Sequence, residues 1–133
     1  MLNLDYICVK YGQEITNSVG KADEKKIKEL KNNLRKAIGV LQEDGVYAIF
    51  LWFEKNDKQT RKILTKLLNE PEIRKPLLNN DKKFNEGFNE FCKDLQEIAE
   101  NIDKLLFVKK LFERTLTYAL YHAKIKEGGG NEQ

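Results

Sequence analysis

Few residues in this chain have side chains suited to chemistry, and most of those are cations. His122 is the only histidine, so a histidine-based triad has no spare part and a multi-histidine metal site is impossible. Cys8 and Cys92 lie far apart with no CxxC spacing, which supports neither a disulfide framework nor a zinc site. There is no Walker A loop, no GxGxxG and no HExxH. The carboxylates are scattered among lysines at helix-surface spacing, the pattern of solvation and i,i+4 pairing. The expectation is therefore no catalytic residue, no metal and no cofactor.

What remains is a set of basic faces. In the segment that ends near Lys126, apolar residues Leu105, Val108, Phe112, Leu116, Ala119 and Ala123 recur at helical spacing. On the opposite side fall Lys110, Arg114, Thr117, Tyr121 and Lys124, spaced 4, 3, 4, 3 as one continuous seam. Cations can neutralise phosphates there, and an exposed tyrosine can stack a base. Packing of Tyr121 on a partner protein is an equally good reading. Lys25, Lys28, Lys31 and Arg35 share the outer face of an earlier helix, and Lys58, Arg61, Lys62 and Lys66 that of another. One such face is ordinary solvation; three on one small domain point toward a nucleic-acid backbone. Phosphate contacts of this kind position a ligand without reading bases.

The same helix carries one enzymatic alternative. RTLTYALYH resembles the Arg-x(4–6)-His motif of HEPN ribonucleases, with seven residues between Arg114 and His122. At about 100° per residue the two side chains point roughly 80° apart. The competing reading of His122 is the edge of a buried stripe.

The elements that must position these residues are helices. The chain has 133 residues, 41% hydrophobic and 34% charged, with only two prolines. That suits one domain of helix-forming composition. Apolar spacing predicts helices over about 3–18 and from a cap at Asp23 to Asp44-Gly45. The run VYAIFLWF, 46–53, lacks strand alternation and has no second strand to pair with, so it reads as a core helix buried on every side. Asp57 caps the next helix. Pro71 and Pro76 keep 70–80 in turns or a short helix. Asp81 caps a helix bearing Phe84 to Ile102, and Asp103 caps the last. The fold class is all-α, a bundle of about six helices around a central hydrophobic helix at 46–55, with one domain over 1–126 and a disordered tail at 127–133. No apolar run approaches the roughly 20 residues that span a bilayer, and no secretory signal is visible, which reads as cytoplasmic.

The net charge of +3 is unevenly distributed. Residues 21–36 carry seven Lys/Arg against three Asp/Glu, residues 55–83 nine against four, and residues 104–126 six against one. Residues 84–103 reverse the balance, with Lys93 alone against six acids. Glu86, Glu90, Asp94 and Glu97 fall on one side of that helix. An acidic face meeting a basic face on a neighbouring copy would allow head-to-tail stacking along an RNA strand.

Three segments resemble a known family. Glycine introducing an intensely apolar helix, EDGVYAIFLWFEKN, is similar to the Asn-Gly-Leu segment and following helix of the small subunit of type III-B CRISPR complexes, the Cmr RNA-silencing effectors. LFVKKLFERTLTYALYHAKIKEG is similar to that family's final helix, and YICVKYGQEI to its first. Glu43-Asp44 departs from the family's Ser/Arg-Asn, and 57–100 carries no family motif. Gly45 and Arg114 are the positions that carry over. The resemblance implies an all-α, non-catalytic subunit that stacks along other type III CRISPR subunits and helps hold guide and target RNA. The small subunit of the related type III-A (Csm) complexes is the nearest alternative. A helical protein–protein adaptor without a nucleic-acid ligand is a third possibility. The residues expected to face RNA are Arg35, Arg61, Lys62, Lys110, Arg114, Tyr121 and Lys124.

Overall fold

A computed structural model describes residues 3–19, 23–78 and 82–129. These form seven helices: α1 (Leu4–Asn17), α2 (Glu24–Asp44), α3 (Val46–Asn56), α4 (Lys58–Leu68), α5 (Pro71–Leu77), α6 (Phe88–Ala99) and α7 (Ile102–Gly129). No strand occurs among the described residues, so the chain is all-α. No helix is long and apolar enough to cross a membrane, among the described residues.

Local chemistry sets most of the boundaries. The side chains of Asn3, Asp23 and Asp57 accept hydrogen bonds from the backbone N–H groups of Tyr6, Lys26 and Thr60, satisfying otherwise orphaned donors at the starts of α1, α2 and α4. Gly45 both ends α2 and begins α3 at φ 95°, a left-handed conformation that a side chain disfavours. Pro71 stands in the first turn of α5, where its missing N–H costs nothing.

Three boundaries differ from the sequence reading. Asp81 lies outside the described residues, and α6 begins only at Phe88. The residues before it are taken by side chains from other elements. Asn69 accepts from Phe84 N–H and donates to Phe84 C=O, Asp94 accepts from Asn85 N–H, and Arg61 donates to Glu86 C=O. Such bonds offer the backbone an alternative to a helix. Asn101, not Asp103, caps α7, accepting from the N–H groups of Asp103 and Lys104. At the other end α7 continues past Lys126, and Glu127 is ion-paired with Lys31 instead of opening a tail. Residues 130–133 lie outside the described residues.

The apolar helix α3 is not enclosed on every side. Val46, Ile49, Phe50 and Phe53 are buried, whereas Leu51 is 45% exposed and Trp52 is half-buried. Phe50 is the inward anchor, edge-on to Phe91 of α6 at 4.5 Å and to Phe112 of α7 at 5.2 Å between ring centroids. Two helices each meet four others: α3 packs against α2, α4, α6 and α7, and α7, with the more extensive contacts, against α1, α2, α3 and α6. Its buried residues Val108, Phe112, Leu116, Ala119 and Ala123 follow the expected stripe, widened by Leu111 and Thr115.

α1 meets α7 backbone to backbone. A Cβ built on Gly12 would lie 2.9 Å from the Thr115 carbonyl oxygen and 3.1 Å from Ala119 N. Thr16 Oγ1 donates to Ala119 C=O at 2.9 Å, and the Cys8 thiol reaches Leu111 C=O at 3.7 Å. Replacing Gly12 with Ala pushes the two helices apart and is expected to cost about 1–3 kcal/mol. A denaturant melt checks this; an unchanged midpoint would show that the contact can relax freely.

Candidate nucleic-acid interface

α7 lies between α1 and α2. Cys8, Gly12 and Thr16 of α1 meet Leu111, Thr115 and Ala119 in the same order, so these helices run parallel. Lys31 and Gln42 of α2 meet Glu127 and Lys109, so α2 runs antiparallel. The side of α7 left open carries Lys110, Arg114, Tyr121 and Lys124, all exposed, with Thr117 partly so. At roughly 1.5 Å of rise per residue, the seam from Lys110 to Lys124 is about 21 Å long. It borders a shallow depression of about 500 Å³ lined by Gln42, Lys110, Glu113, Arg114, Tyr118 and Tyr121, among others.

Each cation on this seam has its own electrostatic situation. Arg114 lies 3.7 Å from Asp5 of α1. Asp5 also accepts a 2.7 Å hydrogen bond from the Tyr118 hydroxyl, which pushes that phenol's pKa up. Lys124 sits over the Tyr121 ring, 5.5 Å from its centroid, a cation–π contact on a ring that is 55% exposed. Lys110 and Lys124 make no ion pair among the described residues.

Arg35 joins the C-terminal end of this seam. Lys31 bonds Glu127, and that hydrogen bond is the main reason the Glu127 carboxyl lies below its ordinary range; Lys28 and Arg35 lower it further by their charge. Three cations of α2 thus gather around the last turns of α7. Glu127 is the i+3 neighbour of Lys124, so the Lys31–Glu127 pair brings α2 beside the C-terminal end of the seam.

α4 is different, and here the sequence reading is corrected. Arg61 is only 4% exposed. Its guanidinium donates to Glu54 at 3.0 Å, to Glu86 C=O at 3.0 Å and to Thr65 Oγ1 at 3.5 Å. With Nε and Nη1 engaged in the interior, Arg61 is a structural brace and not the outward-facing cation that helical spacing predicts. Asp94, expected on an acidic outer face, is likewise buried at 2% exposure, accepting from the N–H and side-chain amide of Asn85 and pairing with Lys82 at 3.3 Å. Glu86 lies before α6, so the expected acidic ridge keeps only Glu90 and Glu97 as exposed members of that helix. Lys62 is exposed, but it stands apart from the α7 seam. α1 runs between them, bonded to α7 through Asp5 and to α4 through Glu14, which holds Lys66 at 3.0 Å.

Of the seven expected residues, four (Lys110, Arg114, Tyr121 and Lys124) lie on the α7 seam, and Arg35 is exposed on α2, near enough for its charge to act on Glu127. The sequence reading missed Asp5 and Glu127, which temper these charges. Both come from distant chain segments, and no local spacing announces them. His122 is half-buried and makes no side-chain hydrogen bond among the described residues. No family model, no curated protein and no solved structure matches the chain.

Two outcomes follow. Arg61→Ala strands Glu54 and the Glu86 carbonyl and should destabilise the fold by about 2–3 kcal/mol, whereas Lys62→Ala should shift a thermal melt hardly at all. Equal melts for the two variants would contradict the brace. Because the folded-state pKa of Glu127 lies below the unfolded one, its pairing with Lys31 stabilises fully above the ordinary glutamate value of 4.5 and is lost as pH falls through the lower folded value. A carboxyl NMR titration should place the Glu127 midpoint below those of exposed glutamates, and Lys31→Ala should return it to theirs. A Glu127 that titrates with the others in the unaltered protein refutes the pairing.

Proposed function

We propose that the chain is a non-catalytic, RNA-binding structural subunit of a ribonucleoprotein. The observation that carries this reading is the exposed seam Lys110–Arg114–Tyr121–Lys124 on one unbroken helix, extended by Arg35 and Lys28. A seam about 21 Å long suits a strand lying along it, with phosphates meeting Lys110 and Arg114 toward one end and Lys124 at the other. Tyr121 supplies a flat surface for one base at the end of the line. Nothing in this arrangement distinguishes one base from another, so binding is to the backbone.

Together with the resemblance of 43–56 and 106–128 to the Cmr small subunit, this supports membership of a type III CRISPR effector. In such an assembly the chain contacts guide or target RNA and other subunits in the cytoplasm. Arg114 acts in this reading as a phosphate ligand tempered by Asp5, not as half of a ribonuclease pair with His122.

Single-stranded RNA titrated at several salt concentrations tests the reading. Affinity should fall with a log–log slope of roughly −0.7 per phosphate contact. The triple reversal Lys110→Glu, Arg114→Glu, Lys124→Glu should abolish binding, and Tyr121→Ala should cost about 1–3 kcal/mol. Asp5→Ala, which releases Arg114, should tighten it. Binding indifferent to salt, or to the triple reversal, sinks the proposal. RNA cleavage that disappears in His122→Ala would replace it with the nuclease alternative.

A further inference from the structure

A second cationic site lies on α4, with a different geometry. Gln59, Lys62 and Lys66 form a ridge along the exposed side of the helix, and residues 83–86 run beside it as an irregular strip. Between them is a cleft of about 580 Å³, within the range of small-molecule sites. Its lining brings together Lys62, Lys66, Lys83 and one edge of Arg61, against the single carboxylate of Glu86. The largely buried Ile63 and Phe84 form its base.

The wall of this cleft is held in place before any ligand arrives. Phe84 is clamped by Asn69 through its N–H at 2.8 Å and its C=O at 3.0 Å. Asn85 is fixed by the buried Asp94, and Glu86 C=O by the buried Arg61. Four side-chain-to-backbone bonds on three consecutive residues keep an irregular strip in one shape, which lowers the ordering cost of binding against it. Lys62 and Lys83 make no ion pair among the described residues, and in the Lys66–Glu14 pair the lysine side chain is 63% exposed, so it can turn to an incoming anion at modest cost.

We infer that this cleft binds a phosphate monoester, carried either by a free nucleotide or by the end of an RNA strand. The α7 seam spreads its charges along a line and suits a row of singly charged diesters. Here three lysines surround one compact space, which suits a single group of charge near −2. Lys62 and Lys83 supply charge-assisted hydrogen bonds from opposite walls, and Lys66 closes the end beside Asn69. The site is separated from α7 by α1 and does not rest on the RNA reading of that helix.

Adenosine 5′-monophosphate, adenosine and inorganic phosphate are titrated into the full chain, followed by calorimetry and backbone NMR shifts. The monophosphate should bind, shifting the α4 and 83–86 amides, and adenosine should bind at least about tenfold more weakly, the worth of one charge-assisted contact. Lys62→Ala with Lys83→Ala, both on the surface, should weaken the monophosphate by a similar factor. The α7 triple reversal should leave it unchanged. In that triple-reversal background, a short RNA with a 5′-phosphate is compared with its 5′-hydroxyl form. A phosphorylated strand that binds more tightly than the mononucleotide assigns the ligand to a strand end, and the reverse order assigns it to a free nucleotide. Equal binding of adenosine and its monophosphate, shifts confined to α7, or no binding of the monophosphate at millimolar concentration overturns the assignment. Loss of RNA binding on α7 alone would not touch it.

Discussion

The close approach of α1 to α7 at Gly12 is the contact on which the remaining geometry depends. Without a side chain at that position the two backbones come near enough for Thr16 and Cys8 to bond carbonyl oxygens of α7. Bonds from side chains to helix carbonyls are short-range and directional, so α7 is fixed in rotation as well as position. With parallel α1 on one side, antiparallel α2 on the other, and α3 and α6 against its buried stripe, a single side of α7 is left to solvent. Because α7 is unbroken from Ile102 to Gly129, that side persists for its whole length. Lys110 and Lys124 therefore face the same way although four turns separate them.

Pairing, more than the number of cations, decides which charges this protein offers to a partner. Arg61 and Lys62 are adjacent in sequence and opposite in role. The guanidinium presents several donors in a planar fork, and it is the group used in the interior to tie Glu54, Thr65 and Glu86 together. The ammonium of Lys62 is strongly hydrated and stays in water. The same sorting operates on α2, where Lys31 is drawn to Glu127 while Arg35 stays exposed. A burial cost attends each paired carboxylate; Asp94 meets it by collecting the Asn85 donors and Lys82, whereas Glu127 is paired with Lys31 through one oxygen and its Oε2 has no hydrogen-bond partner among the described residues.

The two basic sites differ in how they are supported. The seam is a property of one regular helix and keeps its charges in line without any tertiary bond to them except Asp5 to Arg114. The α4 cleft exists only because Asn69, Arg61 and Asp94 hold residues 84–86 away from helical geometry. One is rigid through its own backbone hydrogen bonds, the other through side chains that reach across 9 to 25 residues of chain. That contrast underlies the assignment of an extended ligand to the first and a compact one to the second.

The all-α class, the caps at Asp23 and Asp57, the glycine joint at residue 45 and the exposed seam of α7 were all legible in the amino-acid order. Each is written in contacts within about one helical turn, where residue type and spacing suffice. The apolar segment 46–53 was legible as a helix but not as an incompletely enclosed one, because enclosure depends on which neighbours arrive; Leu51 stays 45% exposed. Likewise, periodicity placed Arg61 and Asp94 on outer faces, and the fold buried them. A buried ion needs partners, and theirs, Glu86 C=O and Asn85, stand 25 and 9 residues away in the chain. Spacing along one helix can say which way a side chain points, and only the packing of the other helices decides whether water or protein is waiting there.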